Sequence, residues 1–116
     1  MLTALAQREV AGMKPEGWAP AGEFQQGQCH EHPFQLQPGR CYAAVGVGMG
    51  ITEFDLEIAM QQAPYLKVRD RTRGSQPVLG GTMNCIRTPL LFGSPAKLIL
   101  KATAGSGMGV AQLYSR

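Results

Sequence analysis

From residue 30 to the last residue, the chain alternates apolar and polar positions with a period of two. His32, Phe34 and Leu36 alternate with Glu31, Gln35 and Gln37 before a Pro38-Gly39 turn. Cys41, Ala43, Val45 and Val47 mark a second strand, whose end is loosened by Gly46, Gly48 and Gly50. The clearest alternation follows: Phe54, Leu56, Ile58 and Met60 point one way, and Glu53, Asp55 and Glu57 the other. That is the pattern of a half-buried antiparallel strand. A further strand is expected over 66–72. Val78, Leu79, Met83, Cys85 and Ile86 predict one bent strand or two short ones about Gly80-Gly81, a pair typical of a bulge. The nearly continuous apolar run 96–103 and the segment 110–114 complete the series, divided by Gly105-Ser106-Gly107.

The first 29 residues read differently. Leu2, Leu5, Ala6, Val10 and Met13 fall near the spacing of a short amphipathic helix over 2–13, stopped by Gly12 and Pro15. Such a helix is too short to stand alone in water, so it must dock on its own domain or on a neighbour. A Gly-, Pro- and Gln-rich stretch over 14–27 holds Trp18, which is expected to plug into the domain's own surface. The expected organisation is a helix-and-linker arm over 1–29 and one domain over 30–116. Short strands separated by Gly and Pro turns make that domain all-β, an antiparallel β-sandwich of about seven or eight strands, jelly-roll-like.

Composition supports a single turn-rich domain. The 116 residues include 15 Gly and 8 Pro, and only 16% are charged. A net charge of +3 is mild. Its one dense run, Lys67, Arg69, Arg71 and Arg73, would share a strand face and is read as a solvated surface, with an acidic partner or an anionic membrane surface as the other reading. Nothing interleaves aromatics with basic residues as nucleic-acid binders do. No stretch approaches the roughly 20 apolar residues that span a bilayer. Residues 1–10 lack the basic leader and apolar core of a signal peptide, so export would imply a leader already removed.

Phe34-x-Leu36-x-x-Gly39-x-Cys41-Tyr42, Glu53-Phe54-Asp55-Leu56, a mid-chain Cys and a final Gly-x-Gly-x-x-x-Gln-Leu-Tyr resemble a β-sandwich module of predicted myxobacterial envelope lipoproteins. The layout over roughly 30–116 is similar to the pre-peptidase C-terminal sandwich, which accompanies secreted enzymes without being catalytic. The resemblance implies fold and export rather than activity. Where the pre-peptidase pattern continues Asp-Leu-Asp, this chain has Asp55-Leu56-Glu57, so no calcium role is carried over.

Of the three cysteines, Cys41 and Cys85 both sit on expected core strands and are the expected disulfide. Closing that loop contributes up to about 4 kcal/mol on the chain-entropy model and implies an oxidising, extracytoplasmic compartment. Cys29-His30-Glu31-His32 places two histidines on one strand face, but ligands packed this closely in sequence cannot all converge on one zinc ion. It is read as the polar start of a strand. Glu53, Asp55 and Glu57 stand about 7 Å apart on one face, a spacing that raises a glycosidase pair or a calcium site and is read instead as a charged solvent face. The two Gly-x-Gly-x-Gly runs lack the spacing of nucleotide loops and are read as hairpin turns, and no Ser lies in a nucleophile elbow.

These readings predict a non-catalytic structural or assembly subunit with no cofactor, no metal and no small-molecule substrate. It would contact a protein partner or its own copies through Leu2, Leu5, Val10, Met13, Trp18, Leu90, Leu91 and Phe92. The alternative is a carbohydrate- or surface-binding module using Trp18, Tyr65 and Tyr114 as stacking aromatics. A hydrolase or metal-binding protein is the third reading.

Overall fold

The computed structural model describes residues 10–17, 19–60, 67–81, 85–87 and 93–116. The described residues form one curled antiparallel sheet of seven strands: β1 Lys14–Pro15, β2 Ala21–Phe24, β3 Cys29–Leu36, β4 Tyr42–Met60, β5 Lys67–Arg69, β6 Val78–Leu79 and β7 Ser94–Ser115. Its spine is the ribbon of β4 on β7, paired from Tyr42↔Ser115 to Met60↔Ala96. The other edge of β7 carries β3, β2 and β1 in turn. The other edge of β4 carries a bridge from Tyr42 to Ile86, then β6 and β5.

The ribbon bends in its middle. Met49 opposes Met108 and Phe54 opposes Ala102, so five steps along β4 match six along β7. The extra residue is a bulge, and it reverses which face β7 shows to the core: Ala96, Leu98, Leu100 and Ala102 before it, Ala111 and Leu113 after it. Gly50 and Gly105 take φ of +83° and +82° at this bend, which side chains other than Gly rarely adopt. The bend lets the Phe54 ring lie across the other half of the ribbon. A Cβ at Gly109 would stand 2.8 Å from Phe54 Cζ and 3.0 Å from Phe24 Cε1. The glycine runs are therefore not hairpin turns. They lie within two long strands, and each pair of strands expected on either side of them is one strand.

Two apolar clusters result. The inner one gathers Phe24, Leu36, Tyr42, Phe54, Leu56, Ile58, Leu79, Leu98, Leu100 and Leu113, among others, from both halves of the curl. The second lies on the outer face of the first half, where Val10 and Met13 pack on Ala43, Val45 and Val47. The Cys41–Cys85 disulfide, with Cα atoms 5.3 Å apart, ties residues 85–87 beside the start of β4. Tyr42 and Ile86 exchange backbone bonds of 2.8 and 2.7 Å next to it.

Several expectations change. The arm expected over 1–29 is joined to the sheet through β1 and β2, and Phe24 enters the core. Of the expected helix, residues 10–13 form a turn closed by Met13 N donating to Val10 O at 3.0 Å. Residues 1–9 lie outside the described residues. Of the strand expected over 66–72, residues 67–69 form β5 and residue 66 lies outside the described residues; beyond Arg69 the Asp70 side chain turns onto β4.

Candidate functional site

A groove of about 950 Å³ is walled by β1 and β3, the edge strands at the two ends of β7. It is lined by consecutive residues of each wall, Lys14 to Gly17 and His32 to Gln35. In a strand, successive side chains point to opposite faces, so lining by consecutive residues means that the groove runs along the strand edges. Both edges are blunted. Glu16 N donates inward to Leu113 O at 2.8 Å, which puts the neighbouring Pro15 at an outward position. Pro33 occupies the exposed edge of β3 opposite Lys97. Proline offers no N–H for a further strand, and edges are commonly protected in this way.

The groove's recognition chemistry therefore lies in its side chains. On its floor the buried Tyr42 hydroxyl accepts from Gln37 N at 2.8 Å and donates to Gln35 O at 3.4 Å. Burial raises the Tyr42 pKa above the usual phenol value. Phe34 lies half-buried against Tyr42, ring centroids 5.9 Å apart. Arg40 Nη1 donates to Glu16 Oε1 and Ser115 Oγ, both at 3.2 Å, and Ser115 Oγ also donates to Glu16. The Arg40–Glu16 pair is half-exposed and contributes little to stability. Lys14 reaches the groove from β1 and forms no ion pair among the described residues. Arg87 flanks it, donating to Gly39 O at 3.5 Å, and Arg116 exchanges backbone bonds with Cys41.

A second candidate is the carboxylate cluster Glu53, Asp55 and Asp70, whose ligand atoms lie within 4.8 Å of one another. The sequence pattern placed Glu53, Asp55 and Glu57 on one face. The fold adds Asp70 to the first two, while Glu57 turns to Arg69 at 3.7 Å. The cluster acts as a stitch along the β4 edge. Asp70 Oδ1 accepts from Leu56 N at 2.8 Å and Oδ2 from Thr72 Oγ1 at 2.9 Å. Glu53 Oε1 accepts from Gly74 N at 2.8 Å, and Thr103 Oγ1 donates to Asp55. Sharing a proton with Asp55 raises the Glu53 pKa, and burial raises that of Asp70. Each residue thus spends at least one oxygen on the protein's own donors, so the cluster works first as a loop clamp.

The other sequence candidates are dispersed. His30 stacks on Phe24 with ring centroids 4.1 Å apart and covers Gly22, whereas His32 lines the groove. Cys29 is a free, exposed thiol, so the Cys29-His30-Glu31-His32 run is not gathered into a metal shell. Val10 and Met13, expected as contact residues, are buried on the sheet. Leu2, Leu5, Trp18, Tyr65, Leu90, Leu91 and Phe92 lie outside the described residues. Tyr114 packs against the outer cluster, away from the groove, and burial raises its pKa. Sequence reading missed the groove because Lys14, Gln35 and Arg40 share no spacing; the one local signal was Pro33 inside a strand-like run. The chain matches no family model, no curated protein and no solved structure.

Proposed function

We propose that this chain is a non-catalytic extracytoplasmic module, a structural or assembly subunit that engages a protein partner through the groove between β1 and β3. The observation that carries this reading is the groove itself, with polar and charged side chains along two proline-blunted edges. The Cys41–Cys85 disulfide favours an oxidising compartment, in keeping with the resemblance to envelope β-sandwich modules. The finer reading as a jelly-roll-like sandwich rests on the curl, which brings the inner faces of the two ribbon halves onto one core. The carbohydrate reading has less support, because Tyr42 is buried and Phe34 packs against it.

The test is site-specific photocrosslinking from Gln35 in the groove and from Thr52 at the bend, in the cells that make the protein. A discrete protein adduct from Gln35 and none from Thr52, with binding rebuilt from the two purified proteins, is the expected result. A monomer in light scattering that gives no protein adduct from Gln35 overturns it.

A further inference from the structure

We infer that the groove's partner is an acidic, extended polypeptide segment, held by its carboxylates rather than by strand addition. This rests on the groove being the binding surface. Three observations lead to it. First, both walls are strand edges with proline at an outward position, Pro15 and Pro33, so an incoming chain would lose a ladder hydrogen bond at each of them. Recognition falls to side chains. Second, the charge around the groove leans positive. Lys14 and Arg40 line it, Arg87 donates to Gly39 O at its rim, and Glu16 is the one carboxylate among the lining residues. Glu16 is already engaged by Ser115 and Arg40, while Lys14 has no ion pair among the described residues and Arg40 keeps further N–H donors for a ligand. Third, the exposed amides of Gln35 and Gln37 lie beside half-buried Phe34, which offers apolar contact between polar handles.

A polypeptide fits this set better than an anionic polysaccharide does. Sugar rings stack on open aromatic faces, and here Tyr42 is buried with Phe34 tilted at 54° against it. A carboxylate-bearing chain needs only the cations, the amides and one apolar contact, all present along the groove.

The probe is a fluorescein-labelled decapeptide alternating Glu with Leu, with its Gln-for-Glu and Lys-for-Glu counterparts, titrated by anisotropy at low salt. Polygalacturonate is the competing polyanion. The acidic peptide should bind at least about tenfold more tightly than the Gln peptide, and screening at 0.5 M salt should remove most of that difference. Lys14→Glu should weaken it about tenfold, Lys14→Gln less, and Gln76→Glu, away from the groove, should leave it unchanged. An unaltered urea midpoint shows that each variant is folded. Equal binding of acidic and Gln peptides, both lost in a Gln35→Trp variant, overturns the acidic partner and leaves the groove as a protein site. Acidic-peptide binding insensitive to Lys14→Glu puts the contact elsewhere and overturns the inference. Tighter, Lys14-dependent binding of polygalacturonate replaces the polypeptide with a polysaccharide. No binding of any peptide overturns the inference, and the Gln35 crosslink then decides whether the protein-binding reading falls with it.

Discussion

The two halves of the β4–β7 ribbon are continuous in chain and pairing, yet they solve different burial problems. In the first half, Tyr42 to Gly48 is buried on both faces: Tyr42 and Ala44 enter the inner core, while Ala43, Val45 and Val47 lie under Val10 and Met13. In the second half the described residues cover only the inner face. Its outer face carries Asp55, Glu57, Lys97 and Lys101 around a half-buried Ile99, with Glu31 and Arg69 bonded across from neighbouring strands. A strand covered on both faces reads as a continuous apolar run, and one covered on one face alternates. The difference teaches that the segment ahead of β1 is part of the fold, since it supplies the second cover.

The largest effect should come where the halves meet. Phe54→Ala removes the ring that lies against Gly46 and Gly109, and we expect a loss of about 3–5 kcal/mol in urea unfolding. A loss below about 1 kcal/mol would mean that the halves do not share a core. Replacing Cys41 and Cys85 together by Ala should cost about 2–4 kcal/mol, since the bridge closes a loop with a separation of 44 residues. The check is the unfolding midpoint of the double variant against the oxidised parent.

A matched pair then tests the asymmetry itself. Val45→Thr puts a hydroxyl into the covered outer face and should cost about 1–3 kcal/mol. Ile99→Thr, on the charged outer face, should cost under about 1 kcal/mol. Equal costs would erase the distinction between the halves.

The smallest effect concerns the carboxylate cluster. Glu53 and Asp70 have folded-state pKa values raised above their ordinary ones, so the folded state binds more protons than the unfolded state between those values. Their contribution to stability is therefore greatest below the carboxylate range and is lost as pH rises through the folded values. Glu53→Gln removes one of the clustered charges. It should raise stability at neutral pH by a few tenths of a kcal/mol, the scale of half-exposed like-charge pairs, and flatten the dependence on pH. Thermal melts from pH 4 to pH 7 check the sign.

Strand character was legible wherever one face alone is buried. Phe54, Leu56, Ile58 and Met60 are all buried as their alternation predicted, and Cys41 pairs with Cys85 as their strand positions suggested. The glycine runs were misread because a glycine in a turn and a glycine beneath a ring look alike in sequence; only the position of Phe54 tells them apart. Of the cluster, Glu53 and Asp55 were visible as neighbours on one face, whereas Asp70 joins them through a β4–β5 pairing that no local spacing encodes. The groove was illegible for the same reason. Its walls, Lys14 to Gly17 and His32 to Gln35, are 15 or more residues apart along the chain and meet only because both pair with β7.

By itself, then, the sequence determined an all-β chain with a strong alternating strand, an expected disulfide and few charges, since side-chain period and turn chemistry are local properties. The tertiary structure alone decided that four expected strands are two, that Val10 and Met13 belong to a core, and that two proline-blunted edges wall one groove. Each of those depends on a bulge, a second covering layer or a shared partner strand, which exist only once distant segments are paired.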